Sequence, residues 1–288
     1  MSKSQLLNLP SAKIITRDNN LDILELSTAQ ILDYFRSYGL LLFRGFEVDD
    51  KKMKVFAKQF SSKFIRDQDR LLVDSSDGFV GLVDGGTHYI SPHCEHANSP
   101  FRPDVVWFCC AVPAAQGGET LVWDGVRVWQ EMSTQLRQLF CNNKIRFSQK
   151  FPASAWKHFL GRGSTIVDVK RTLDGLEGVS YQINPDQSVS LDYVCSAVVK
   201  TKYGNHEAFA NSLISEYKNP RGVVTFEDGS PIPETVINEI KEIMNRLTEG
   251  IPWQSGDLAM IDNSRFLHGR RAFKDTRRRI LTTLSYLK

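Results

Sequence analysis

Amphipathic patterns with a helical period occupy two segments near the N-terminus. Apolar residues recur every three to four positions in 28–38, where Ser27 is suited to cap a helix and Gly39 to end it. A second pattern of this kind follows Asp49 and predicts another helix. The uninterrupted apolar run 40–43 between the two patterns predicts a buried strand. The apolar positions are Ile31, Leu32, Phe35 and Tyr38 in the first helix and Met53, Phe56, Ala57 and Phe60 in the second.

The rest of the chain mixes short strand patterns with further helical ones. Helical spacing returns in 126–141 and 233–247, whereas short strands and turns are predicted over 145–192. Strand patterns predominate from residue 258 to residue 287. Many short strands with helices before and between them are typical of an α+β fold built on a double-stranded β-helix, the jelly-roll barrel of cupins, with helices packed outside it.

Two further features concern the organisation of the chain. Glycine and small polar residues concentrate before residue 90, so we expect a lid loop over about 70–90. No internal repeat, low-complexity tract or linker is evident in the sequence. Jelly-roll folds commonly reach this length as one unit, and residues 1–288 are therefore expected to form a single domain.

The charge and cysteine content narrow the class of protein. Lysine and arginine number 36 against 33 acidic residues, a balance that argues against a nucleic-acid partner and favours a small-molecule substrate. The five cysteines are odd in number, and the adjacent Cys109 and Cys110 would face opposite sides of a strand, which favours a reducing compartment. No apolar run approaches the roughly 20 residues of a membrane span. A cytoplasmic enzyme with no membrane partner is expected, and a homo-oligomer is compatible with this composition.

The candidate chemistry lies in three distant residues. His93 and Glu95 are two positions apart, and on an extended segment their side chains point to the same side. His268, on a later strand, can supply the third corner of a metal face. Two histidines and one carboxylate form the facial triad of non-haem Fe(II) oxygenases, which leaves coordination positions open. Arg279 lies eleven residues beyond His268 and is suited to bind the far carboxylate of a 2-oxo diacid.

The sequence leaves two other interpretations of these residues open. The His-x-Glu triplet is weak alone, and a metal-free barrel that only binds a ligand would also accommodate it. His93 and His96 are three apart and could bind zinc from one helical turn, as in a hydrolase, although nearby prolines argue against a helix there. Asn263 is expected to support the metal ligands rather than bind metal. His88, in the expected lid, and Arg270, near His268, are candidates for contact with substrate or co-substrate.

Three runs outside the triplet carry a resemblance to a known family. They are Tyr38-Gly39-Leu40-Leu41-Leu42-Phe43-Arg44-Gly45-Phe46, Gly117-Gly118-Glu119-Thr120 and the turn and strand of 251–263 that precede His268. With His93 and Glu95, they make the chain resemble the TauD/TfdA (taurine dioxygenase) family, in the clavaminate-synthase-like branch whose proximal motif reads His-x-Glu. The resemblance extends from residue 38 to the last strand.

This resemblance implies a set of site residues. His93, Glu95 and His268 would bind iron, and Thr120 and Arg279 would contact the carboxylate of 2-oxoglutarate. A segment of about 195–232, which includes Phe209-Ala210-Asn211, would be an insert that covers the pocket, and Asn211 would lie near the substrate or support the metal ligands.

The resemblance also implies an activity. The cofactors would be Fe(II), 2-oxoglutarate as co-substrate and O2, and the reaction would hydroxylate an unactivated C–H bond. Desaturation or oxidative cyclisation are variants that share the first hydrogen abstraction. The substrate is expected to be an amino-acid-derived or specialised metabolite, either free or tethered to a carrier protein.

Overall fold

The computed structural model describes residues 10–18, 21–66, 70–73, 78–83 and 86–288. Its helices are α1 (Thr28–Tyr38), α2 (Asp50–Phe60), α3 (Gly125–Glu131), α4 (Thr134–Asn142), α5 (Ala153–Leu160), α6 (Ile166–Leu173), α7 (Leu213–Glu216) and α8 (Glu234–Leu247). The strands up to residue 124 are β1 (Ala12–Thr16), β2 (Leu40–Arg44), β3 (Ser61–Ile65), β4 (Gly81–Leu82), β5 (Ile90–His93), β6 (Val105–Val112) and β7 (Thr120–Asp124). The later strands are β8 (Ile145–Phe151), β9 (Val179–Ile183), β10 (Val189–Cys195), β11 (Val199–Lys200), β12 (Glu207–Ala208), β13 (Gly222–Phe226), β14 (Glu249–Ile251), β15 (Leu258–Asp262), β16 (Phe266–Arg270) and β17 (Arg279–Leu287).

The first two predicted helices and the strand between them are confirmed. The Ser27 hydroxyl accepts a hydrogen bond from the Gln30 amide and caps α1, and Gly39 ends the helix with a left-handed backbone at φ +74°. The Asp49 carboxylate caps α2 by accepting from the Lys52 amide. The strand β2 follows Gly39 directly, with four successive buried residues. Local capping chemistry therefore sets the boundaries of these elements.

Two predictions for the middle of the chain are wrong in part. The predicted helix over 126–141 is two helices, α3 and α4, because the Ser133 hydroxyl accepts from the Leu136 amide and begins a new helix. The segment 145–192 contains not only strands but also α5 and α6. Thr165 and Asp168 form a capping box at the start of α6, a signal that is present in the sequence. Short amphipathic helices between strands are difficult to recognise from periodicity alone.

Two sheets face each other and form the jelly-roll core. The larger sheet has the strand order β1-β2-β15-β6-β17-β3, with β4 paired to β17. The smaller sheet has the order β14-β7-β16-β5. One buried apolar cluster draws Leu42, Phe108 and Ile280 from the larger sheet and Val122 and Phe266 from the smaller one. Its side chains exclude water from the space between the sheets, next to the strands that carry the candidate ligands.

Helices cover the outer faces of this core. α1 and α2 pack on the larger sheet in a cluster that includes Phe35, Phe56 and Trp107. α3, α4 and α8 pack on the smaller sheet, where the Trp123 indole donates to the Met244 carbonyl at 2.9 Å. A third sheet, β13-β8-β10-β9, carries α5 and α6. None of the described helices is long and apolar enough to cross a bilayer.

A buried ion pair holds the end of β2 against the turn that leads into β15. The Arg44 Nη2 lies 2.7 Å from the Asp257 Oδ2, and the Asp257 side chain has no exposed surface. The same guanidinium donates to the Pro252 carbonyl at 2.6 Å, and the Gln254 amide donates to Asp257 at 2.9 Å. This network orders the turn before the strand that leads to His268.

Replacing Arg44 by methionine should lower the free energy of unfolding by about 3–5 kcal/mol, because Asp257 would remain buried without a compensating charge. Urea denaturation measures this change. The matched control is Arg36→Met, which removes an exposed pair with Asp33 on α1 and should cost about 0–1 kcal/mol. Equal losses in the two variants would contradict a special role for the Arg44 pair.

Candidate metal centre

Strand pairing in the smaller sheet brings the two candidate histidines together. His93, the last residue of β5, is the direct cross-strand partner of His268 on β16. The centroids of the two imidazole rings are 4.4 Å apart. The two histidines are 175 positions apart in sequence, and the pairing of β5 with β16 brings them together. Side chains that lie directly opposite on antiparallel strands share a face of the sheet.

Glu95 completes the cluster from the turn that follows β5. Its Oε2 lies 3.2 Å from the His268 Nε2 and 4.0 Å from the His93 Nε2. One ligand atom from each of the three residues lies within 4.8 Å of the others. The His96 Nε2 lies 3.8 Å from the other carboxylate oxygen, Oε1, and His96 is not part of this cluster in the described chain.

The pKa shifts of His93 and Glu95 suit metal binding. Burial, assisted by the neighbouring His268, lowers the pKa of His93 to about 4, so its imidazole is neutral at pH 7. Its Nδ1 lies 2.9 Å from the Ser91 carbonyl, which directs Nε2 towards the cluster. Burial alone would raise the pKa of Glu95, but the Arg70 guanidinium and His268 outweigh it and hold the pKa well below its ordinary value. Neutral imidazoles and a carboxylate are the forms that bind metal.

Two buried asparagines, Asn263 and Asn211, hold the backbone of the His-x-Glu motif. Asn263, with no exposed surface, accepts from the Glu95 amide at 2.8 Å and donates to the Glu95 carbonyl at 2.9 Å. The Asn211 carbonyl accepts from the Cys94 amide at 3.1 Å, and its side chain donates to Ala197 at 2.7 Å. Arg102 donates to the carbonyls of Ala210 and Asn263 and joins these two supports. Asn263 and Asn211 therefore act on the backbone of the motif, at buried positions.

A cavity of about 1060 Å³ opens beside the cluster. Its wall contains the three candidate ligands and Thr120, whose hydroxyl accepts from the Trp253 indole at 3.0 Å. Apolar side chains such as Phe108 and Ile280 form part of the wall. Five arginines line the same space, and Glu95 is the carboxylate among its described lining residues. The arginines are Arg70, Arg221, Arg270, Arg278 and Arg279.

The arginines near β17 occupy different environments. Arg279 is exposed at the start of β17, and within the described residues its side chain has no ion pair or hydrogen bond. Arg278 is half-buried and donates from Nε to the Gly118 carbonyl at 2.7 Å. Burial, together with the nearby Arg270, lowers the pKa of Arg278 to about 10. Both residues line the cavity, so its rim carries one engaged guanidinium and one available guanidinium.

Of the remaining predicted residues, Arg270 lines the cavity and His88 does not. Arg270 is 2% exposed, lines the cavity and donates to the His88 carbonyl at 3.1 and 3.3 Å. His88 itself is exposed and is absent from the described wall. The expected lid over 70–90 is described in part, and positions 74–77 and 84–85 lie outside the described residues. Arg70, Arg102 and Arg221 were not found by sequence reasoning, since none lies in a motif and their roles depend on long-range contacts.

The donor set of this cluster fits an iron ion. Two imidazole nitrogens and one carboxylate oxygen are the combination preferred by non-haem Fe(II), with positions left open on the cavity side. His268 also has a buried Nδ1 without a hydrogen-bond partner in the described chain, while its Nε2 faces Glu95. The ligand atoms of the three side chains therefore converge on one position, as the ligands of a metal ion do.

The variants His93→Ala, Glu95→Ala and His268→Ala should each abolish Fe(II) binding and preserve the fold, because each removes one of the three proposed protein ligands. Equilibrium dialysis with metal analysis measures the loss, and circular dichroism checks the fold. His96→Ala is the matched control and should retain iron. Loss of iron in His96→Ala, or retention in one of the three variants, would redefine the ligand set.

Comparison with known proteins places this site in a family. The profile described as taurine catabolism dioxygenase TauD, TfdA family matches residues 8–284. A clavaminate synthase-like protein of Arabidopsis thaliana is 37% identical over 220 residues, which cover 67% of this chain and 63% of that protein's length. The 3-((Z)-2-isocyanoethenyl)-1H-indole synthase of Fischerella ambigua is 23% identical over 281 residues, 94% of this chain and 90% of the relative.

Solved structures show the same fold. PvcB of Pseudomonas aeruginosa superposes with a TM-score of 0.60 at 17% identity, over 97% of this chain and 87% of that chain. PvcB, of which a second structure also matches, is an Fe, alpha-ketoglutarate dependent oxygenase from an isonitrile synthetic pathway. The predicted double-stranded β-helix with surrounding helices is thereby confirmed. Members of the matched family use Fe(II), 2-oxoglutarate and O2, cofactors that suit the His93, Glu95 and His268 cluster. The profile covers nearly the whole length, and the chain belongs to the TauD/TfdA family of dioxygenases.

Proposed function

We propose that this chain is an Fe(II)- and 2-oxoglutarate-dependent dioxygenase that hydroxylates an unactivated C–H bond of an amino-acid-derived or specialised metabolite. The observation that carries the proposal is the convergence of His93, Glu95 and His268, whose ligand atoms lie within 4.8 Å of one another beside a large cavity. When bound, iron and 2-oxoglutarate would activate O2 to give the oxidant that removes a substrate hydrogen, with release of succinate and CO2.

The protein residues would bind and orient the reactants. Thr120 and Arg279 both line the cavity and would hold the far carboxylate of 2-oxoglutarate, since Arg279 has a guanidinium that no described side chain engages. Phe108 and Ile280 would exclude water around the reacting atoms. The Phe108 ring lies 5.3 Å from the His268 ring, edge to face, and would restrict the rotation of that imidazole.

The charge of the cavity favours an anionic substrate. Five arginines line it, and the dianionic co-substrate would offset only part of their charge. A free α-carboxylate of an amino-acid derivative would fit this excess, and so would an acidic group on a carrier-tethered metabolite. Small neutral substrates would leave the positive charge of the cavity unbalanced, which disfavours their binding relative to that of acids.

A second, apolar cavity of about 360 Å³ suggests where the rest of such a substrate binds. Its wall includes Phe101, Trp156 and Phe159, and His96 lines both this cavity and the metal cavity. The Trp156 indole donates to the Gln187 carbonyl at 2.8 Å, so its polar atom is already paired. An aromatic or aliphatic side chain would fill this space while the acidic group stays with the arginines.

The relatives support a biosynthetic role. One is named for a product that joins an indole ring to an isocyanoethenyl group, and another is a dapdiamide synthesis protein of Enterobacter agglomerans. Desaturation or oxidative cyclisation on the same cofactors is the second candidate, favoured by the ethenyl group in the first of these names. The zinc hydrolase reading loses support because the converging ligand atoms in the described chain come from Glu95 and His268, with His93, and not from His96. A cupin-like protein that only binds a ligand would not need the triad.

The test is a screen for succinate release that depends on both Fe(II) and the candidate substrate. The library should contain aromatic and aliphatic amino acids, their N-acyl and isocyano derivatives, and matched esters that lack the free carboxylate. We expect turnover with acids that carry a large apolar group and little with their esters. Absence of any substrate-dependent succinate, together with absence of a visible charge-transfer band for anaerobic Fe(II) and 2-oxoglutarate, would overturn the proposal.

Arg279→Ala should raise the KM for 2-oxoglutarate by roughly 10- to 150-fold, because the variant loses a charge-assisted hydrogen bond to the co-substrate that is worth about 1.5–3 kcal/mol. Arg278→Ala is the matched neighbour and should change it little, because Arg278 is engaged with the Gly118 carbonyl. Titration of the charge-transfer band with 2-oxoglutarate measures both. A larger effect of Arg278→Ala would show that the residue before β17 contacts the co-substrate instead.

A further inference from the structure

Arg70 contacts the metal-ligating carboxylate directly. Its Nη2 lies 2.8 Å from the Glu95 Oε1, and the side chains of the two residues are only 18% and 9% exposed. No sequence motif includes Arg70, and the proposed reaction gives it no role. Two charged groups in a nearly buried site lose hydration free energy, and only a close contact between them compensates for that loss.

The two oxygens of Glu95 have separate partners. Oε2 faces His268 at 3.2 Å and His93 at 4.0 Å, so this oxygen points to the metal position. Oε1 points away from it, towards Arg70 at 2.8 Å. A carboxylate that rotated about its last torsion could offer both oxygens to one ion, but a charge-assisted hydrogen bond to Oε1 opposes that rotation.

Arg70 also belongs to a short paired segment at the mouth of the cavity. The Leu82 amide donates to the Leu71 carbonyl at 2.8 Å, and the Val73 amide donates to the Val80 carbonyl at 3.0 Å. Leu82 in turn pairs with Leu281 on β17. A Cβ atom at Gly81 would lie 2.9 Å from the Arg70 Cβ, so glycine at this position allows the two backbones to approach. We call residues 70–73 and 80–82 the mouth segment.

We propose that Arg70 is the positioning residue of Glu95. It holds Oε1 so that Glu95 binds metal through Oε2 alone, which keeps the remaining coordination positions open, and it fastens the mouth segment to the metal centre through the same contact. The first part rests on the proposed function. The second part concerns the protein without metal and stands independently of it.

The fastening is tested by hydrogen exchange on the metal-free protein. Arg70→Gln and Glu95→Gln should each speed exchange of the Leu82 and Val73 amides on the order of tenfold or more, because each breaks one nearly buried ion pair. The double variant should exchange no faster than the faster single variant. Gly81→Ala should have a similar effect, since the added methyl group displaces Arg70 without removing its charge.

Arg271→Gln is the control for this measurement. Arg271 forms an ion pair with Glu119 at 3.1 Å, but the two side chains are 56% and 36% exposed. In the Arg271→Gln variant, the amides of the mouth segment should exchange at the wild-type rate. Unchanged exchange in Arg70→Gln, or additive effects in the double variant, would overturn the fastening.

The positioning is tested with Co(II), whose visible absorption reports coordination number. Arg70→Gln should bind Co(II) with an altered absorption spectrum, weaker if Oε1 becomes an additional ligand, and Arg70→Lys should restore part of the wild-type spectrum. Identical spectra for wild type and Arg70→Gln would overturn the positioning role. If the wild type itself binds no Co(II), the proposed function fails, whereas the exchange result still decides whether Arg70 fastens the mouth segment.

Discussion

The register between β5 and β16 is the constraint on which the rest of the site depends. It sets His93 opposite His268, with ring centroids 4.4 Å apart, and leaves Glu95 on the turn just beyond the strand end. A shift by one residue would move every side chain of β5 to the other face of the sheet. The adjoining turn would then lose its contacts to Asn263, which bind the Glu95 backbone on both its amide and its carbonyl.

The strand β16, which carries His268, is held in place from both faces of the smaller sheet. Between the sheets, Phe266 and Val122 pack against residues of the larger sheet, and on the outer face Trp123 and Leu267 pack under α3 and α8. Burial of apolar groups on both faces gives a large penalty for slippage, because any slip would expose one set of them. The two histidines of the candidate metal centre therefore lie on packed strands, which hold their side chains in a fixed arrangement.

The electrostatics of the cavity follow from a surplus of guanidinium groups around a single described carboxylate. Arg70 lowers the pKa of Glu95 and so keeps it ionised, while Arg270 and burial lower the pKa of Arg278 to about 10. Mutual repulsion among these cations would be relieved by the binding of anionic molecules, which is the basis of the proposed preference for acids. Arg70 is paired with Glu95, whereas the Arg279 guanidinium has no ion pair or hydrogen bond within the described residues.

The sequence alone determined the chemistry of this protein to a large extent. His93, Glu95 and His268 could be selected because the spacing of the first two suits an extended segment and the residue types suit Fe(II). The boundaries of α1 and α2 were also accessible, since Ser27, Gly39 and Asp49 act through local hydrogen bonds. The division of 126–141 into two helices at Ser133 and the helices α5 and α6 were missed, although their capping residues are visible in the sequence.

Only the tertiary structure decided which oxygen of Glu95 faces the histidines, which of Arg278 and Arg279 is engaged, and where Arg70 lies. Each depends on contacts between residues that are distant in sequence, such as Arg278 with Gly118 at 2.7 Å and Arg70 with Glu95 at 2.8 Å. A spacing pattern carries no information on which of two adjacent arginines a strand turns inward. That choice is made by packing and by the bulge between Arg279 and Ile280, where β17 pairs with β6.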